Sequence, residues 1–345
     1  MRNRIAVDIG GTFTDLVLET AAGQVSTAKE LTTPGRLVDG VVDAVRTSGA
    51  VPDEVSLFVH GTTAGLNALL TRTGSRVALV TTRGFRDAYL IGRGHRPEMY
   101  DLHYRKPPRL LERDAIFEVD ERLAADGSVR APVDEGSVRA AAAAIAAGGF
   151  EAVAVCLLHA YANPAHEERV SELLGAALDV PIVASHGIAP EWREYERTST
   201  TVMSAYITPI LSAYVAEVEG ALRDEGLRVP VYITESNGGV MTAGVAAQKA
   251  VLTLFSGPVG GVIGARAAGA DLGYADLIGV DVGGTSFDVS LVRGGEATLQ
   301  AEFELEGLPV LAPAVEVHTI GAGGGSLIRE VGGALRVGPE SAGAD

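Results

Sequence analysis

An aspartate closes a short apolar stretch, two glycines and a threonine follow, and a second aspartate stands seven residues after the first. This arrangement occurs at Asp8-Ile9-Gly10-Gly11-Thr12-Phe13-Thr14-Asp15 and again at Asp281-Val282-Gly283-Gly284-Thr285-Ser286-Phe287-Asp288. Each part suits a separate piece of phosphate chemistry. Paired glycines lack Cβ atoms, so backbone N–H groups can approach phosphate oxygens and form an anion-binding concavity. The threonine hydroxyl adds a donor or a metal contact. A carboxylate at the end of the leading strand can hold magnesium, most often through its waters, because that ion dehydrates reluctantly. Asp8 and Asp281 are the candidate metal ligands; Asp15 and Asp288 could orient water or add a second ligand. One copy alone reads as a Gly-Gly hairpin with a capping aspartate. Two copies in one chain point to a phosphate site.

The elements that must position these residues alternate between β-branched apolar runs and Ala-rich helical ones, the signature of an α/β fold. Strands are expected at 5–9, 14–19, 57–60, 76–81, 151–158, 231–234, 277–282 and 288–292. Each motif copy lies between two of these strands, so it forms a tight β-hairpin and not a strand-to-helix loop. Helices are expected at 138–147, 165–178 and 259–268, with Asn163-Pro164 opening the second. A longer helical period over 198–223 meets Pro209, where a kink or break is expected. The chain divides into two regions, 1–190 and 191–345. Arg93, His95, Arg96, Asp101 and His103 read as a solvated loop, and Glu191, Trp192, Arg193, Glu194 and Glu196 as salt bridges at the junction of the two regions, each of small worth at the surface.

Composition narrows the function classes. The 345 residues are 47% hydrophobic and 21% charged, enough for a sizeable core. A formal charge of −16 without a basic run makes nucleic acid a poor partner. The N-terminus offers no signal-like apolar region and no stretch approaches eighteen uninterrupted apolar residues, so a cytoplasmic protein without a membrane partner is expected. The single cysteine, Cys156, lies in an apolar run and reads as a buried structural thiol. The three lysines, Lys29, Lys106 and Lys249, never follow a glycine, which excludes a P-loop. The run 321–326 has Ser326 where a dinucleotide fingerprint needs its third glycine, and Val170 stands where a zincin needs histidine.

The paired hairpins resemble the two phosphate loops of the actin-like ATPase fold. A closer resemblance is carried by blocks in a fixed order: His60-Gly61-Thr62-Thr63, Thr81-Thr82-Arg83-Gly84-Phe85-Arg86-Asp87, Ala154-Val155-Cys156-Leu157-Leu158-His159, Arg193-Glu194-Tyr195-Glu196-Arg197-Thr198, Ser236-Asn237-Gly238-Gly239-Val240, Ser256-Gly257-Pro258, Asp281-Val282-Gly283-Gly284-Thr285 and His318-Thr319-Ile320-Gly321-Ala322-Gly323-Gly324. These look like the successive blocks of the hydantoinase A / 5-oxoprolinase family. The resemblance implies an actin-like (ribonuclease H-like) fold of two related domains around a nucleotide cleft. It also implies use of ATP and Mg2+ to open a hydantoin, 5-oxoproline or another lactam, with a hydantoinase B-type partner subunit. In the expected chemistry the lactam oxygen attacks the γ-phosphate and the resulting imidate carbon accepts water. Relatives that carboxylate ketones share the ATP half-reaction, and a non-catalytic nucleotide-binding fragment is a third possibility. Carried onto this chain, Asp8, Asp15, Asp281 and Asp288 are catalytic, and Gly10, Gly11, Thr12, Gly283, Gly284, Thr285, Gly257, Gly323 and Gly324 contact the nucleotide. His60, Asn237 and His318 are candidates for the substrate side. The family pattern continues past Asp345, so a C-terminally truncated form is expected.

Overall fold

The computed structural model describes residues 3–10, 13–33, 35–94, 99–283, 287–320 and 322–341. The chain opens with β1 (Asn3–Ile9), β2 (Phe13–Glu19) and β3 (Val25–Leu31), an antiparallel meander, followed by α1 (Leu37–Ser48) and β4 (Val55–Gly61). Strand β4 lies parallel to β1 on its free side. After α2 (Ala64–Leu70) the chain leaves this sheet to build a second one. Strands β5 (Val77–Thr82) and β6 (Ile116–Val119) are separated by α3 (Arg86–Ile91), and a small hairpin of β7 (Arg122–Leu123) and β8 (Val129–Ala131) follows. Then come α4 (Glu135–Gly148), β9 (Ala152–Cys156), α5 (Ala165–Gly175), β10 (Ile182–Ala184) and the short α6 (Ser185–Ile188). The four strands pair in parallel in the order β10-β9-β5-β6. Each is an apolar run: all five residues of β9 are buried, as a strand covered on both faces requires.

Helix α7 (Glu194–Asp224) returns the chain to the first sheet, which β11 (Val231–Thr234) joins parallel to β4 and β12 (Val240–Thr242) closes, in the order β12-β11-β4-β1-β2-β3. The sheet therefore draws strands from both sides of residue 190; that position divides sequence regions and not sheets. Helix α7 is long and apolar enough to cross a bilayer, but two-thirds of the qualifying window is buried inside the protein, where it packs against β9, α1 and α2. Each fully buried Leu or Val along it adds about 1.5–3 kcal/mol.

Pro209 does not break this helix. Its missing N–H removes one bond, yet the Thr208 hydroxyl donates to the Ser204 carbonyl at 2.8 Å and the buried flank on both sides holds the turns together. At its first turns a buried ionic cluster ties α7 to the second sheet. Arg197 donates to Ser185 Oγ (2.6 Å) and to the Leu157 carbonyl (2.8 Å), and lies 3.6 Å from Glu167. Glu167 accepts in turn from the Leu157 N–H, Ser185 Oγ and His186. A buried pair of this kind depends on hydrogen bonds to its other polar atoms, and these satisfy all of the cluster named here except Arg197 Nε, which has no partner among the described residues.

The last third opens with α8 (Ala243–Gln248) and α9 (Ser256–Leu272), followed by the antiparallel pair β13 (Leu277–Val282) and β14 (Phe287–Arg293). Strand β15 (Glu296–Ala297) pairs with β14; β16 (Leu299–Gln300), β17 (Phe303–Leu305), β18 (Leu308–Val310) and β19 (Ala314–Val315) form two short ladders; and β20 (Val317–Ile320) lies on the other side of β14. A hairpin of β21 (Ser326–Val331) and β22 (Ala334–Ser341) follows. Meander, parallel neighbour and repeated hairpin make this an α/β actin-like ATPase fold.

Candidate nucleotide site

The first hairpin places Asp8 and Asp15 directly opposite each other across β1 and β2. Period-two alternation sends Ile5, Val7 and Ile9 into the core, so Asp8 falls on the opposite face. The Gly10 N–H donates to the Phe13 carbonyl at 2.9 Å and closes the turn; Gly11 and Thr12 lie outside the described residues. Lys29, opposite Asp15 on β3, donates to its carboxylate at 2.6 Å.

Asp8 has a tighter setting. Parallel pairing puts Gly61 beside it, and a Cβ on Gly61 would stand 2.5 Å from Asp8 Oδ1, so any side chain there would displace the carboxylate. A Cβ on Gly257, in the first turn of α9, would lie 3.9 Å from the same oxygen. The carboxylate thus occupies a slot between the end of β4 and the start of α9, open to solvent at its mouth but crowded by protein. That crowding desolvates it and raises its pKa, and the like charges of Asp15 and Asp281 push it further up. The charge of Asp281 acting on Asp8 puts the two hairpins within electrostatic range of each other.

In the second hairpin Asp281 stands opposite Asp288, whose carboxylate accepts from Thr319 Oγ1 of β20 at 2.5 Å. The Gly324 N–H donates to the Gly283 carbonyl at 2.9 Å, and the Gly323 N–H to Ser326 Oγ at 2.8 Å. Gly323 and Gly324 therefore sit against this hairpin, while Gly257 belongs to the first. Gly284 and Thr285 lie outside the described residues. Among the described residues no three His, Cys, Asp or Glu side chains form a complete metal cage. The donor set that fits a hard cation is Asp8 with the like charges of Asp15 and Asp281 beside it, since a divalent ion would relieve that repulsion.

The three residues considered for the substrate side are not gathered together. His60 is fully buried; its Nε2 lies 2.6 Å from the Tyr214 hydroxyl and its Nδ1 3.3 Å from the Val7 carbonyl. Burial pushes its pKa down to about 4, so it is neutral and offers a ligand no surface. Asn237, in the β11–β12 turn, accepts from the Gly239 N–H and donates to Glu235. His318 is exposed on β20, 3.4 Å from Glu316.

Two expectations from the sequence change. Arg93 is no free loop residue: its Nε and Nη2 each donate to Glu196 at 2.7 Å. Glu196 is correspondingly no weak surface partner, because its side chain is almost wholly buried. Burial would raise its pKa, but the bonds from Arg93 and the charge of Arg193 hold it below the ordinary range. His95 and Arg96 lie outside the described residues. Reasoning from sequence also missed Gly61, which looks like any glycine after a strand until parallel register sets it beside Asp8.

The profile of the hydantoinase/oxoprolinase N-terminal region matches residues 4–178, and that of hydantoinase/oxoprolinase matches 197–345. The chain is 35% identical over 354 residues to the caprolactamase subunit alpha of Pseudomonas jessenii, covering 99% of this chain and 51% of that one. It is 30% identical over 389 residues to the 5-oxoprolinase of Saccharomyces cerevisiae, covering 99% and 30%. The crystal structure of the ATP-dependent caprolactamase from Pseudomonas jessenii superposes with a TM-score of 0.88 at 34% identity, over 99% of this chain and 51% of that one. A nucleotide-free structure of acetone carboxylase gives 0.84 at 30% identity, over 99% and 52%. The chain spans about half the length of the caprolactamase and acetone carboxylase chains it matches. With family profiles covering nearly its whole length, the chain belongs to the hydantoinase/oxoprolinase family.

Proposed function

We propose that this chain supplies the ATP-using half of an enzyme that opens a cyclic amide such as a hydantoin, 5-oxoproline or another lactam. The observation that carries the reading is the pair of Gly-Gly hairpins, each with aspartates opposed across its two strands, with the charge of Asp281 acting on Asp8. The lactam oxygen attacks the γ-phosphorus of ATP, an O–P bond forms as the bond to ADP breaks, and the imidate carbon takes up water. The ring C–N bond then cleaves to leave an acyl phosphate, and a second water releases phosphate and the ring-opened acid, an amino acid from a lactam and a carbamoyl amino acid from a hydantoin. No serine or cysteine nucleophile is needed; Cys156, buried under Thr198, serves packing. Such phosphoryl transfer depends on positioning and charge neutralisation.

The residues suited to these roles are the Gly10 and Gly283 turns for the phosphates, with Gly257, Gly323 and Gly324 beside them, and Asp8 and Asp281 for magnesium. Magnesium at those carboxylates would offset negative charge on the transferring group. Asp15 and Asp288 stand opposite them and are suited to orient water. The similarity to caprolactamase and 5-oxoprolinase supports the amide substrate, and the caprolactamase relative's being a subunit alpha supports an assembly with a second, hydantoinase B-type subunit. The similarity to acetone carboxylase supports a second reading, ATP-dependent ketone carboxylation.

The test combines the protein with its partner subunit, MgATP and a panel of lactams, and measures ring opening against ADP formed. Stoichiometric, lactam-dependent turnover is expected. ATP breakdown that responds to ketone and bicarbonate instead would move the assignment to the carboxylase reading; nucleotide binding with no stimulated turnover would leave a binding fragment.

A further inference from the structure

Away from the aspartate hairpins lies an open cavity of about 850 Å3, bounded by the segment after α3 on one side and by the β17–β18 hairpin on the other. None of the four aspartates lines it. Its two walls carry opposite charge. Arg105, Lys106 and Arg109 stand on one side. On the other, Phe303 and Leu305 of β17 pack against the core, so strand alternation leaves Glu304 on the opposite face, while Glu302 just before the strand and Glu306 in the turn after it also line the cavity. The walls meet at one point, where a Cβ on Gly307 would stand 2.5 Å from Pro107 Cγ.

Part of this charge is already neutralised. Arg193, held at a left-handed φ of 83°, reaches Glu302 at 2.6 Å, and Arg93 is saturated by Glu196. Arg105 and Arg109 on one wall, and Glu304 and Glu306 on the other, make no ion pair among the described residues. Tyr195 stands between them: the charges of both Glu304 and Arg109 act on its hydroxyl. Opposite charges held apart across a cavity, over a tyrosine-lined floor, match a ligand that carries both signs on an apolar spacer. The volume lies in the range of small-molecule sites, about 300–1,000 Å3.

We propose that this cavity binds a zwitterionic amino acid whose carboxylate and ammonium are separated by a methylene chain, the carboxylate toward Arg105 and Arg109 and the ammonium toward Glu304 and Glu306. Lactam ring opening yields this class of molecule, so the ligand's identity rests on the cyclic-amide reading, whereas the demand for two opposite charges rests on the cavity alone.

The experiment is calorimetric titration of the protein with 5-aminopentanoate, pentanoate and pentylamine. The zwitterion binds, and each singly charged analogue binds at least about tenfold more weakly. Arg109→Gln and Glu304→Gln each weaken 5-aminopentanoate binding about tenfold, with unchanged melting temperature and unchanged MgATP binding. Equal affinity for pentanoate and 5-aminopentanoate, no binding at millimolar concentration, or variants that bind like the parent would overturn the proposal. The two readings fail separately. Zwitterion binding as described, with no lactam able to drive ATP breakdown, sinks the cyclic-amide reading and leaves an amino-acid site; lactam-driven turnover without zwitterion binding does the reverse.

Discussion

The two Gly-Gly hairpins share one sequence pattern and live in different surroundings. Ile5, Val7 and Ile9 precede or flank Asp8 as Ile278, Val280 and Val282 do Asp281. The first three are 1%, 3% and 0% exposed; the second three are 66%, 55% and 58% exposed. In the first sheet the apolar face is covered, with α1 against β2 and β3 and α7 nearby, and the aspartate face is open. In the second, α9 packs against β13 and β14 on the face of Gly279, whose Cβ would meet Ser290 Oγ at 2.5 Å and Ala265 at 3.7 Å, and leaves the other face bare. Both aspartates are therefore turned toward α9. A repeated motif fixes the local turn and the alternation; the helix that docks on it decides which face is interior.

Substitutions at matched positions test this contrast, and the largest effect is on turnover. Asp8→Asn and Asp281→Asn are each expected to lower ATP turnover in the assembled enzyme at least about 100-fold, the scale seen when one electrostatic contributor is removed. Normal turnover in either variant would separate that hairpin from the site. Ligand-free Asp8→Asn should also melt at or above the parent temperature, because it removes an ionised group that protein crowding and two like charges disfavour.

The core contrast comes next. Ile5→Ala should cost about 2–5 kcal/mol, and Ile278→Ala no more than about 0.5 kcal/mol, both by urea denaturation. Equal costs would mean the second face is covered in solution.

His60 supplies a pH test confined to the first sheet. Its folded pKa of about 4 lies below the ordinary 6.5, so between those values the unfolded chain binds more protons than the native one. Stability therefore rises with pH through that window and is lost as pH falls, by up to about 3 kcal/mol. Denaturation midpoints at pH 4.5 and 7 should show this, and His60→Gln should flatten the slope. The raised pKa of Asp8 acts in the opposite sense, costing stability as pH rises through its titration, so the comparison is best made in the Asp8→Asn background.

The last matched pair is Gly61 and Gly279. Gly61→Ala drives a Cβ to within 2.5 Å of the Asp8 carboxylate, which should cost about 1–3 kcal/mol and weaken MgATP binding. At the matched crowding of Gly279, the obstacle is a serine hydroxyl that can rotate away, so Gly279→Ala should leave MgATP binding intact.

Sequence by itself determined the α/β class, the two hairpins, the absence of a P-loop and the family, because these depend on local chemistry: strand periodicity, glycine at turns, carboxylates at strand ends. It placed α9 and the strands β1, β2, β4, β5, β9, β11, β13 and β14 within a few residues, did not mark others such as β3, β6 and β10, and read Cys156 as buried. Only the tertiary structure decided what depends on register and docking. Gly61 became a neighbour of Asp8 through parallel pairing over a separation that no local pattern encodes. His60 became a core residue because Tyr214, far along α7, came to rest against it. Pro209 stayed within a continuous helix because buried contacts on either side outweigh one missing hydrogen bond. Arg93 and Glu196, like the charged walls of the cavity beside them, are brought together from distant stretches of chain, and long-range packing is the only force that sets such distances.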